Sequence, residues 1–218
     1  MQDISNPQAY GFLTKPEVQF LDAAVERLIP TDELGVGARD AGVTVYIDRQ
    51  LTSTWGMHGR NYRSGPWHPG TPQQGFQSRL TPQEIYRCGI AETDAHCKQQ
   101  YGKAFRLLAA EQQDEVLKAL EKDAIALPSL PAKLFFGLLW RNTEEGFFSD
   151  PMYGGNRDKA GWRLLGFPGV AASNYGELLY SQTTPYRVEP VSILDIETGR
   201  ATLDNQGNPK HQPVKAKN

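Results

Sequence analysis

Apolar side chains recur at helical spacing along most of the chain, and turn residues separate the runs. Thr14-Lys15-Pro16-Glu17 has capping-box form, with a hydroxyl at the cap and a carboxylate three residues later. Val18, Leu21, Val25, Leu28 and Ile29 follow on one helical face, and Pro30 ends the run. From Arg39 to Leu51, Val43, Ile47 and Leu51 share a helical face. The β-branched residues there also suit a strand, so both readings stay open. Thr81-Pro82-Gln83-Glu84 repeats the capping form. It opens a helix that turns Tyr86, Ile90, Thr93, Cys97 and Tyr101 inward and stops at Gly102. Ala109 to Lys122 is amphipathic, with Val116, Leu117 and Leu120 inward. Ser129-Leu130-Pro131 leads into a helix through Phe148. It is apolar all round from Leu134 to Trp140, so it is central to a core or covered by another chain. Arg157 to Leu165 reads as a last short helix.

Two stretches break this pattern. Ser53 to Leu80 is rich in Gly and Pro, with Trp55, Tyr62, Trp67 and Phe76 among them. Long loops in a compact domain are functional or disordered, and the aromatics argue against disorder. The expectation is a surface-wrapping arm whose Trp and Tyr side chains need a partner surface. Beyond Pro185 the chain becomes polar, and this tail is expected to order only against a partner. The whole predicts a mostly α fold: one helical domain over 11–184 with a long Gly/Pro/aromatic-rich loop, then an irregular tail over 185–218. Its 218 residues suffice for one sizeable core.

Composition narrows the partners. The net charge of −2 and the lack of a basic block give no footprint for nucleic acid. No run of eighteen apolar residues spans a membrane. Cys88 and Cys97 both fall in the Pro82–Tyr101 stretch. Nine residues of helix rise about 13 Å, and a disulfide needs Cα atoms within about 7 Å, so they cannot pair while the helix is intact. Two readings remain: two free thiols with Cys97 buried, or a bridge from Cys88 to a partner subunit.

The densest motif runs from Asp150 to Gly169, where five glycines in twenty residues interleave with Tyr153, Trp162 and Phe167. Glycine permits close backbone approach and the aromatics supply rigid contact area, which describes an ordered loop. The block Met152-Tyr153-Gly154-Gly155-Asn156-Arg157-Asp158, then Gly161-Trp162 and Gly166-Phe167-Pro168-Gly169, resembles the gluconate 2-dehydrogenase subunit 3 family. Phe12-Leu13-Thr14, Leu28-Ile29-Pro30-Thr31-Asp32, Gly35 to Val43 and Tyr101-Gly102-Lys103-Ala104-Phe105 extend the resemblance over 11 to about 172. It implies a small, or gamma, subunit without a redox centre. Such a subunit accompanies a large FAD subunit that oxidises a sugar or sugar acid, gluconate being the first guess. A third subunit carries c-type haem and passes electrons to quinone. The resemblance also implies export to the periplasm, often by the twin-arginine route, and attachment to the inner membrane through the complex. Residues 1–5 have neither a basic start nor an apolar stretch, so export implies a leader removed from this chain.

The residues offer no competing chemistry of comparable strength. His58, His68, His96 and His211 lack metal-ligand spacing, and Cys-x-x-Cys-His is absent. Gly154-Gly155-Asn156-Arg157 is neither a Rossmann fingerprint nor a Walker loop, and no Gly-x-Ser-x-Gly elbow occurs. Glu144, Glu145 and Asp123 read as solvated helix faces. Hence no catalytic, cofactor or metal residue is assigned. Asn156 is placed to cap the next helix. The residues expected at, or shaping, a partner interface are Trp55, Tyr62, Trp67, Tyr153, Asn156, Arg157 and Trp162, since aromatics and Arg are the usual anchors. Trp162 suits the core equally. The rivals are a free-standing enzyme with a pocket around His58, His68 and Arg60 in the 53–80 loop, and a general periplasmic chaperone.

Overall fold

In a computed structural model, residues 9–58, 65–68, 70–74, 78–170 and 187–214 are described. Their fold is mostly α. The helices are α1 (Lys15–Leu28), α2 (Val43–Thr52), α3 (Pro82–Tyr101), α4 (Ala110–Glu121), α5 (Ala132–Phe148), α6 (Ala160–Leu165) and α7 (Ile193–Glu197). Among the described residues, β structure is confined to isolated bridges. No described helix is long and apolar enough to cross a membrane.

The capping boxes read in the sequence open α1 and α3 as expected. Glu17 accepts from the Thr14 backbone N–H at 2.7 Å, and Glu84 from that of Thr81 at 2.7 Å. The ambiguity over 39–51 resolves to helix. Val43, Ile47 and Leu51 are all fully buried, as an i, i+4, i+8 stripe requires. The helix starts at Val43 rather than Arg39 because Gly42 takes a left-handed conformation at its cap and the Ala38 N–H bonds back to Ile29.

Helix α5 packs against α2, α4, α3 and α1. Phe135 on α5 meets Phe20 of α1 at 6.3 Å and Tyr86 of α3 edge-on at 5.9 Å. Phe20 also packs on Phe105 at 4.7 Å. These rings anchor one contiguous core. The side of α5 bearing Trp140 stays partly open to solvent, so the all-round apolar run is only partly interior.

Two charged residues hold the chain before α1 in place. The buried Asp48 carboxylate on α2 accepts N–H bonds from Gly11, Phe12 and Leu13 at 2.7, 2.9 and 2.8 Å. Arg87 on α3 pairs with Glu17, bonds the Phe12 carbonyl and lies over the Phe12 ring at 4.1 Å. Charged groups with this many fixed partners suit structural anchors.

The C-terminal residues differ from the loose tail read in the sequence, because 187–214 fold back onto the chain. The Val170 N–H bonds the Val191 carbonyl, and the Val191 N–H bonds that of Pro168. The Ile193 N–H donates to Asp150 at 2.7 Å, and His211 Nε2 donates to the Val170 carbonyl at 2.7 Å.

Candidate partner interface

The Asp150–Gly169 loop is built by two side chains that turn inward. Asn156 is fully buried. Its Nδ2 donates to the Ser149 carbonyl at 2.7 Å and its Oδ1 accepts the Gly161 N–H at 2.9 Å. Gly161 is the second residue of α6, so Asn156 serves an open helix N–H from five residues upstream rather than from the adjoining cap position. The helix read over Arg157–Leu165 is correspondingly broken. A 3-10 turn covers Arg157–Lys159, Asp158 and Lys159 are left-handed, and α6 starts at Ala160.

Trp162 is buried, donates from Nε1 to the Phe148 carbonyl at 2.6 Å and meets the Phe167 ring edge-on at 5.2 Å. Its place is the core side of the loop. Two glycines allow the loop to lie directly on the end of α5. A Cβ on Gly155 would stand 2.1 Å from the Gly146 carbonyl oxygen, and one on Gly161 2.2 Å from that of Phe147.

Other side chains of this region turn outward. Tyr153 is 48 % exposed and Phe148 37 %, and Leu164, Leu165 and Phe167, farther along the chain, are exposed too. Arg157 is exposed too, with its backbone N–H bonded to the Ala41 carbonyl. Tyr153, Asn156, Arg157 and Trp162 therefore belong to one structural unit, two as supports and two as surface. Trp55 is half-buried against the core, and Trp67 is 39 % exposed. Among the described residues, no hydrogen bond or ring contact joins either of them to the loop. Tyr62, with Arg60, lies outside the described residues.

The loop separates two hollows. On one side is a cleft of about 690 Å³, where Arg49, Arg157, Lys159, Arg163 and Arg200 face Asp158 and Asp195. Lys159 Nζ bonds Asp195 Oδ2 at 2.8 Å, and Arg200 pairs with the same carboxylate at 3.2 Å. Burial pushes Asp195 upward, but the Lys159 ammonium and the Ser192 donors win and hold it at about 2. On the other side Tyr46, Gln50, Glu145, Phe148, Ser149 and Tyr153 line a hollow of about 470 Å³. Helix α2 serves both, giving Val45 and Arg49 to the cleft and Tyr46 and Gln50 to the hollow. Those pairs are neighbouring i, i+4 stripes.

Sequence reasoning missed this second hollow. Glu145 accepts from Asn142 Nδ2 at 2.9 Å and from the Tyr46 hydroxyl at 3.3 Å. Tyr46 and Glu145 stand 99 positions apart, so no local pattern joins them.

The two cysteines are free, Cys97 buried and Cys88 half-buried. Burial, aided by Asp94, pushes the Cys97 thiol up to about 12. His58 is buried and His68 exposed. Among the described residues, no three or more His, Cys, Asp or Glu side chains form a group able to hold a metal ion.

The family model described as gluconate 2-dehydrogenase subunit 3 matches residues 15–169, most of the chain and all of the loop described above. The chain belongs to the gluconate 2-dehydrogenase subunit 3 family. Neither the curated proteins nor the solved structures compared with it give a match. The subunit 3 span contributes Arg49, Arg157, Lys159 and Arg163 to the basic cleft, whereas Ser192, Asp195 and Arg200 lie beyond it. The cleft is thus a composite of the family domain and the residues that fold back onto it.

Proposed function

We propose that this chain is the non-catalytic small (gamma) subunit of a membrane-bound flavin-dependent dehydrogenase complex that oxidises gluconate or a related sugar or sugar acid. It binds and stabilises the FAD-bearing large subunit and aids its export to the periplasm. Electrons pass from FAD to a c-type cytochrome subunit and then to quinone. The proposal assigns FAD and haem c to those partners and no cofactor to this chain, and it holds the complex at the inner membrane through its partners.

One observation carries the reading. The family's glycine-aromatic loop is braced from within by Asn156 and Trp162, while Tyr153, Phe148 and Arg157 face solvent. Rigid outward aromatics and arginine on a braced loop are the anatomy of a protein-binding surface. Trp67 extends the proposed contact from the arm, and Tyr62 and Trp55 are assigned to the same arm. Cys88, the more accessible thiol, is the proposed site of any bridge between subunits.

Co-expression with a candidate FAD subunit tests the proposal. The two chains should purify together in fixed stoichiometry, and the small chain alone should show neither flavin absorbance nor dye-linked turnover. Robust turnover by the isolated chain would overturn the reading in favour of a free-standing enzyme. Capture of unrelated proteins in variable ratio would instead indicate a general chaperone.

A further inference from the structure

The hollow beside Tyr153 has the construction of a cation-binding pocket. Its carboxylate is held from below by a buried chain of donors. Tyr86, fully buried, donates its hydroxyl to Asn142 Oδ1 at 2.9 Å. Asn142, 1 % exposed, donates from Nδ2 to Glu145 Oε2 at 2.9 Å. The Tyr46 hydroxyl reaches the same oxygen at 3.3 Å. Burial and then the Glu145 charge raise the pKa of both tyrosines, so each remains a neutral donor. Both bonds to the carboxylate use Oε2, which leaves Oε1 for a ligand. Tyr46, Phe148 and Tyr153 line the same hollow.

A fixed carboxylate among aromatic faces discriminates by simple chemistry. An anion is repelled by Glu145. An apolar side chain would strip water from the carboxylate without replacing its hydrogen bonds. A guanidinium satisfies the carboxylate through its donors and the rings through its planar, weakly hydrated face. Helix α2 lines both this hollow and the basic cleft, so a partner that spans the two meets charge of opposite sign, which orients it.

We propose that the Tyr46–Glu145–Phe148–Tyr153 pocket receives an arginine side chain of the large subunit. This rests on the reading of the chain as that subunit's companion. Glu145 supplies the counter-charge, and Asn142 and Tyr86 are positioning residues that aim it.

Capture of the co-expressed FAD-bearing large subunit is the test, with thermal melting as the control for folding. Glu145→Gln keeps the side-chain shape and removes the charge, and Tyr153→Ala removes an exposed ring. Each should weaken capture about ten-fold or more, while Tyr153→Phe stays within about two-fold because the ring face remains. Wild-type capture should fall with added KCl more steeply than that of Glu145→Gln. N-acetyl-arginine amide should compete with the large subunit, and the uncharged N-acetyl-citrulline amide should not. Tyr153→Ala, at an exposed position, keeps the test decisive if Glu145→Gln destabilises the fold. Strong wild-type capture that neither substitution changes overturns the pocket and leaves the companion reading standing. Failure of the wild type to capture any large subunit removes both. Arginine amide binding with capture indifferent to the substitutions would make this a small-molecule site and overturn the docking proposal.

Discussion

At Asn156 the backbone sits at φ 48° and ψ 41°, in the left-handed region that asparagine tolerates better than most residues. Its side chain ties the Ser149 carbonyl to the Gly161 N–H, joining the end of α5 to the start of α6. Conformation and hydrogen bonding can be separated by substitution. Asn156→Gly relieves the backbone but abandons both buried bonds, and should cost about 2–3 kcal/mol. Asn156→Ala loses the same bonds and adds about 1 kcal/mol for the left-handed backbone. Urea denaturation checks this. A glycine variant as stable as the wild type would mean that backbone conformation alone selected asparagine.

At the scale of elements, α7 is clamped to the loop rather than merely laid on it. Ser192 and Asp195 form its capping box, and the same Asp195 carboxylate takes the Lys159 ammonium. The folded-state pKa of Asp195, about 2, lies below its ordinary 3.8. A depressed carboxylate contributes stability that is present above pH 4 and lost as pH falls through 2. After allowance for solvent screening, the loss should be roughly 1–2 kcal/mol. Urea midpoints measured from pH 5 to pH 2 should therefore fall more steeply for the wild type than for Asp195→Asn. Equal slopes would show that the clamp adds nothing to stability.

At the scale of the whole molecule, the inward and outward sides of the loop divide structural from recognition duties. The thiols follow the same division. Cys97 is sealed in the core and Cys88 sits nearer the surface of the same helix. If Cys88 bridges the subunits, non-reducing electrophoresis of the assembled complex shows a covalent pair that Cys88→Ser abolishes and Cys97→Ser leaves in place. A pair that survives Cys88→Ser would eliminate Cys88 as the bridge. A complex that migrates as separate chains without reductant would leave its binding energy to non-covalent contacts such as the Tyr153 pocket.

The sequence by itself determined the helices, because their signals are local. Capping boxes at Thr14 and Thr81 and stripes such as Val43–Ile47–Leu51 depend on residues within a few turns of one another. It also carried the family, since the order of the glycine-aromatic blocks needs no tertiary knowledge. Only the folded chain decided which aromatics face where. The sequence leaves Trp162 between interface and core and assigns Tyr153 to the interface; folding buries Trp162, bonded to the Phe148 carbonyl, and leaves Tyr153 outside. Glu145 is exposed on its helix, as the sequence indicates, but its bonds from Asn142 and from Tyr46, 99 positions away, come only with folding. The C-terminal residues read as loose because their anchors, Asp150 and Lys159, stand far upstream. Local hydrogen bonding and periodicity are written along the chain, whereas burial and charge pairing depend on neighbours that only folding brings together.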